Sequence, residues 1–244
     1  MADCSGTPLP INTILFDFDG TLRHDQPEPA RMIAAYLAVN GVEIDPDTYR
    51  RARRWEHYYW GRSPELAEDK EKFGEMDDRF WTNYIQRNLI AFDCSNETAA
   101  QFSPGVAAHM QDEYRPEDWV PPDTLPTLDA LKGSGYKLAL VSNRREPCHD
   151  RLEQVGLDGF FDMVLVAGEI DCWKPEPGIF HEALIRLDAS PSQTAHIGDN
   201  FYTDVLGAQN AGLQPVLYDP EEVFPNPGCP VIQSLEGVLD LLDL

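Results

Sequence analysis

Residues 14–25 read ILFDFDGTLRHD, an apolar run that ends in two aspartates, Asp17 and Asp19, separated only by Phe18. Side chains two apart on an extended strand point the same way, so this spacing sets two carboxylates side by side. Their repulsion is relieved if a cation lies between them or if one of them carries a proton. A single strand-terminal Asp would cap the turn that follows, but that role does not account for a pair. Gly20 and Thr21 then allow a sharp turn and supply a hydroxyl. The stretch reads as chemistry placed at the carboxyl end of a buried strand.

Working outward, residues 29–114 carry a helical pattern throughout. ARMIAAYLAVNG stops on Gly41, DPDTYRRARRWEHYYWGR opens on Asp and Pro, and ETAAQFSPGVAAHMQDEY is interrupted by Pro104 and Gly105. Beyond VPPD (120–123) the style changes. Short apolar strands are expected at 135–143, 161–168, 194–199 and 213–219, alternating with helices at 146–155, 176–187 and 202–211. That alternation predicts a parallel sheet covered on both faces. The expected division is a catalytic α/β core of residues 1–27 and 119–244, with an all-helical insert at 28–118.

Ligands of open α/β sheets bind outside the carboxyl ends of the strands, and three more motifs fall at such ends. In VSNRR, Ser142 and Asn143 offer a hydroxyl and an amide where a helix is expected to start at Glu146, an arrangement suited to an anion. Lys174 in DCWKPEPGIF sits on a loop stiffened by Pro175 and Pro177 and can present a fixed positive charge to a phosphate. In HIGDNFYTD, Asp199 brings a third carboxylate to the same edge, and Asp204 follows in the first turn of a helix. Three carboxylates and hard oxygen donors suit Mg²⁺.

Composition narrows the partners. Nineteen basic residues against 42 acidic give a net charge of −23, which disfavours nucleic acid and anionic membrane surfaces. Five cysteines with no C-x-x-C spacing fit reduced thiols in a cytoplasmic protein. MADCSGTPLP has no basic stretch followed by an apolar one and is not expected to act as a signal peptide, and no apolar run reaches membrane-spanning length. A monomer or homodimer acting on a small phosphorylated substrate is expected.

Taken in order, DFDGT, Ser142, Lys174 and GDNFYTD resemble the four motifs of the haloacid dehalogenase-like hydrolase superfamily, and the likeness spans the chain. The resemblance implies a Rossmann-like core with a C1-type helical cap. It implies a nucleophilic Asp17, a general acid/base Asp19, and Mg²⁺ on Asp17, Asp199 and the backbone carbonyl of Asp19. Asp204 would support the metal or the lysine. Thr21, Ser142, Asn143 and Lys174 would surround the phosphoryl oxygens. The activity implied is that of a Mg²⁺-dependent phosphatase working through an aspartyl-phosphate; a sugar-phosphate mutase and a receiver-like phosphoacceptor are the alternatives. Relatives that expel halide lack an acid at the position of Asp19, which points away from dehalogenation. Lys70 and Lys72 lie in a charged, polar run unlike the Schiff-base lysine of phosphonate-cleaving relatives. Within the insert, Arg50, Arg54 and His57 share a helix face. That face is either paired with acidic neighbours or turned to an anionic leaving group.

Overall fold

The computed structural model describes residues 11–74 and 76–244; Cys4 and the segment tested as a signal peptide lie outside the described residues. In chain order the strands are β1 (Thr13–Phe16), β2 (His24–Gln26), β3 (Glu117–Trp119), β4 (Lys137–Ser142), β5 (Met163–Val166), β6 (Thr194–Gly198), β7 (Gln214–Tyr218) and β8 (Val231–Ile232). Six of them form one parallel sheet in the order β5-β4-β1-β6-β7-β8, while β2 and β3 pair as a separate ribbon. β1 pairs with β4 on one side and β6 on the other, Phe16 lying opposite both Leu140 and Ile197. The chain builds outward through β4 and β5, then crosses back to β6. That reversal is a topological switch point, and the carboxyl ends of β1, β4 and β6 meet at it.

The β1 sequence is apolar at every position because both faces are covered. Ile14 and Phe16, with Phe18 and Leu22 beyond the strand, pack with residues of α6 (Thr124–Gly133), α7 (His149–Gln154) and α11 (Gly237–Leu241). Leu15 faces the opposite layer, with Ile179 and Phe180 of α9 (Pro177–Leu187) and Ala208 of α10 (Leu206–Asn210). Between β5 and α9 lies a single helical turn, α8 (Ala167–Ile170).

The second unit is all helical: α1 (Pro29–Val39), α2 (Pro46–Trp60), α3 (Pro64–Phe73), α4 (Asp78–Ala91) and α5 (Asn96–Glu113). Asp45, Ser63, Asp77 and Ser95 cap α2 to α5 by accepting backbone N–H groups. Its core gathers Ile33, Leu37, Tyr59, Phe80, Leu89 and Val106. Pro104 does not interrupt α5, which runs through it. Burial of Ala99 and Val106 with residues of α4 outweighs the lost backbone bond. None of the described helices is long and apolar enough to cross a membrane.

The chain divides into one unit ending at His24 and resuming at Asp118–Pro220 and Phe224–Leu244, and a second of Asp25–Glu117 with Glu221–Val223. The sequence gives no hint that Glu221–Val223 belongs with the helices. Glu221 pairs there with Arg31, and Arg54 Nη1 donates to the Val223 carbonyl at 2.5 Å. Three more arginines of α2 are also engaged within their unit: Arg50 with Asp47 at 2.6 Å, Arg51 with Asp93, and Arg53 with Glu56. His57 is buried.

The helix expected from Glu146 begins only at His149. The chain ahead of it is held elsewhere, the Arg144 carbonyl accepting from Gly168 N at 3.0 Å. The contact depends on glycine: a Cβ at Gly168 would sit 1.8 Å from the Arg145 carbonyl oxygen. Gly168→Ala must push the 143–148 loop off α8 and should cost about 1–3 kcal/mol, read as a lower midpoint in urea denaturation; an unchanged midpoint would show the loop yields freely.

Candidate active site

The strand ends at Phe16, and Asp17 is the first residue beyond it, its N–H bonded to the Ile197 carbonyl at 2.9 Å. The Phe18 carbonyl then accepts from Leu22 and Arg23, each at 3.0 Å, folding the chain into a tight loop. Gly20 sits in that loop at φ +88°, and a Cβ there would lie 2.5 Å from Asp199 Oδ2. Only glycine satisfies both conditions. Thr21 completes the approach, its Oγ1 donating to Asp199 Oδ1 at 3.2 Å.

Beyond the strand, Asp17 and Asp19 are held by different partners. Asp17 Oδ1 accepts from Lys174 Nζ at 2.7 Å. Asp19 lies between two guanidiniums: Arg23 Nη1 donates to Oδ1 at 2.8 Å, and Arg144 donates from Nε to Oδ2 at 2.6 Å and from Nη2 to Oδ1 at 2.8 Å. The repulsion inferred from the spacing is relieved by separate partners.

Lys174 is the buried hub, with a side chain 1% exposed. Its ammonium also donates to Asp204 Oδ1 at 2.6 Å. Asn143 fixes the lysine backbone from both sides, accepting from Lys174 N at 2.7 Å and donating to its carbonyl at 2.9 Å. The amide expected to meet phosphoryl oxygens is therefore engaged in positioning the lysine. Ser142 lies buried at the end of β4.

Asp204 lies in a π-helical turn, Phe201–Val205, rather than an α-helical first turn. Asn200 caps that turn, its Oδ1 accepting from Tyr202 and Thr203 N–H groups. Both Asp204 oxygens are occupied. Oδ1 also meets His196 Nε2 at 3.0 Å, and Oδ2 accepts from Asn200 N at 3.0 Å and from Thr203 Oγ1 at 3.4 Å.

Three carboxylates, Asp17, Asp199 and Asp204, offer oxygens within 4.8 Å of one another. The Asp19 carboxylate is not in this group. Hard oxygen donors around one point fit a divalent cation such as Mg²⁺. With Asp204 already holding Lys174 and His196, Asp17 and Asp199 are the side chains suited to direct contact.

The charges shape one another's protonation. Burial is the largest influence on Asp17 and lifts it from 3.8 to about 7, with Lys174 opposing and Asp204 adding to the rise. Burial would lower Lys174, but Asp17 and Asp204 outweigh it and hold it above its ordinary value. Burial would likewise raise Asp204, yet Lys174 and His196 hold it below the carboxylate range.

Arg144, Arg23 and His196 were not singled out from sequence. Arg144 stands in VSNRR directly after the two residues that were. His196 looks like an ordinary strand residue until its partner, eight positions on, is brought beneath it.

A parallel α/β sheet whose switch point gathers carboxylates around a buried lysine defines a hydrolase class, and comparison identifies it. A model of the haloacid dehalogenase-like hydrolase family matches residues 11–212. The chain belongs to this family and is a hydrolase. It is 28% identical over 244 residues to haloacid dehalogenase-like hydrolase domain-containing protein 3 of Mus musculus, covering 97% of this chain and 95% of that one. It is 30% identical over 217 residues to ribulose-1,5-bisphosphate 5-phosphatase of Halopiger xanaduensis, covering 86% and 85%. In fold it is similar to a HAD phosphatase from Thermococcus onnurineus, with TM-score 0.54, 23% identity and coverage of 95% and 98%.

The Asp17 shift has a measurable consequence. Folding raises the affinity of this carboxyl for its proton, so its contribution to stability is full below 3.8 and lost as pH rises through about 7. An amide at position 17 does not ionise. In chelator, the melting temperature of the wild type minus that of Asp17→Asn should fall as pH is raised from 5 to 8 in thermal denaturation; a difference that grows with pH would show the ionised carboxylate to be net stabilising.

Proposed function

We propose that the protein is a Mg²⁺-dependent phosphatase that hydrolyses a small phosphorylated metabolite through an aspartyl-phosphate on Asp17. The observation that carries this reading is the carboxylate of Asp17 bonded to the buried Lys174 ammonium and grouped with Asp199. The phosphatase name of a relative matching over most of both chains agrees with it.

Phosphoryl transfer asks mainly for alignment and for offsetting of charge. Lys174 engages Asp17 Oδ1, which orients the carboxylate and leaves Oδ2 to attack phosphorus. The Asp17 Oδ2–phosphorus bond forms as the bond to the ester oxygen breaks, and Asp19 gives that oxygen a proton. Water then attacks the aspartyl-phosphate, Asp19 takes its proton, and phosphate leaves with Asp17 restored. Asp17 and Asp199 would hold Mg²⁺, which supplies positive charge against the phosphoryl oxygens. Ser142 and Thr21 line the same edge, Ser142 for the phosphoryl group and Thr21 through Asp199.

Hydrolysis of an aryl phosphate by the purified protein, with and without Mg²⁺, tests this. Activity is expected with Mg²⁺, to vanish in chelator, to be poor with Ca²⁺, and to fall more than about a thousandfold in Asp17→Asn. Turnover within tenfold of wild type in that variant, or full activity in chelator, would sink the assignment.

A further inference from the structure

Two guanidiniums hold Asp19, and they differ in what else they can do. Arg23 is buried, and its Nε is engaged by Asp118, which Arg151 also contacts at 2.6 Å. Arg144 is 30% exposed. Its bidentate contact with Asp19 uses Nε–H and one Nη2–H. A guanidinium carries five N–H donors, so the outer edge keeps three.

That outer edge is held in a fixed orientation. The guanidinium carbon lies 5.2 Å from the centroid of the Phe18 ring, which is itself fully buried. Its inner edge is locked on the carboxylate. Its backbone is pinned through the Arg144 carbonyl to Gly168 N, and the preceding residue is tied to Lys174 by two hydrogen bonds. A solvated surface arginine has none of these restraints. The neighbouring Arg145 is instead turned over the Trp173 ring, 5.9 Å from its centroid.

We infer that Arg144 is the specificity-determining residue, its outer edge binding a second anionic group, carboxylate or phosphate, on the leaving group of the phosphate ester. The inference rests on the phosphatase reading, in which the ester oxygen comes to Asp19. Whatever substituent that oxygen carries arrives beside Arg144, whose nitrogens touch both Asp19 oxygens. The planar fork matches a carboxylate or phosphate, and its restraint removes the ordering a flexible side chain would need. In a protein of net charge −23, a doubly anionic substrate also needs such a local cation.

The test compares propane-1,3-diol bisphosphate with 3-hydroxypropyl phosphate under saturating Mg²⁺. Both release a primary alkoxide, so any effect transmitted through Asp19 is common to them and divides out of the ratio of kcat/KM. The wild type is expected to favour the bisphosphate. Arg144→Gln should reduce that preference about ten- to a hundredfold, chiefly through KM, and Arg144→Lys should retain part of it. A binding readout without chemistry runs in parallel: in Arg144→Gln the Ki of propane-1,3-bisphosphonate should rise about tenfold more than that of propylphosphonate. Thermal denaturation establishes that each variant is folded; should Arg144→Gln fail to fold, Arg144→Lys carries the same comparison. Equal losses on both esters and both inhibitors would overturn the inference and leave Arg144 as a support for Asp19. Turnover of both esters without preference in the wild type overturns it while sparing the phosphatase reading. Hydrolysis of neither ester, nor of an aryl phosphate, overturns both.

Discussion

The structure of the core depends on one ammonium. Lys174 Nζ lies 2.7 Å from Asp17 and 2.6 Å from Asp204, out of reach of water. Burying such charges is expensive, and removing one partner of a buried pair typically costs about 3–5 kcal/mol because the other is stranded. The surroundings are organised to avoid that. Asn143 at the end of β4 holds the lysine backbone, His196 of β6 and the π-turn amides complete Asp204, and Asp17 arrives from β1. Each of the three strands at the switch point thus contributes a partner. The sheet order is what brings them together.

The sheet and its motifs were legible because their signals are local. Apolar runs of four to six residues ending in Gly, Asp or Ser mark the strands, and each motif sits within a few residues of such an end. What could not be read is what depends on contacts distant along the chain. Arg144 meets Asp19 across 125 positions, and Asn143 meets Lys174 across 31. No spacing rule assigns an arginine after a strand to a carboxylate after another. For the same reason the start expected at Glu146 falls at His149: the Gly168 N–H, which donates to the Arg144 carbonyl ahead of that helix, lies on another strand–helix unit. The strand β8 has two residues, too few for a periodic pattern.

The helical unit shows why counting charges misleads. Arginine is abundant in α2, and abundance alone suggests an anion site. For some of these residues the partners lie within the unit's own interior. Arg53 is engaged by Glu56, whose other oxygen accepts from Tyr84 at 3.0 Å, and Tyr84 in turn accepts from Trp60 at 3.2 Å. Asp69 similarly draws in Arg87 and Tyr59. A buried carboxylate requires such partners, so these basic and aromatic residues are committed to one another. A cation available to a ligand must be one whose geometry is fixed while some of its donors remain unused.

The contrast between Asp17 and Asp19 follows from the same principle, and Phe18 lies between them. Its ring is fully buried in the layer with Phe16 and Leu22. Asp17 is drawn toward the buried lysine, with a side chain 11% exposed; Asp19 is left at the rim, 37% exposed, on two guanidiniums. Two carboxylates placed in unlike surroundings can take unlike roles. The interior one, aligned by a buried cation, is suited to attack. The rim one is open to water and to a departing oxygen, as proton traffic requires. Phe18 also lies beneath the guanidinium of Arg144. One apolar residue thereby stands between two acids held in unlike surroundings and supports the arginine beside it.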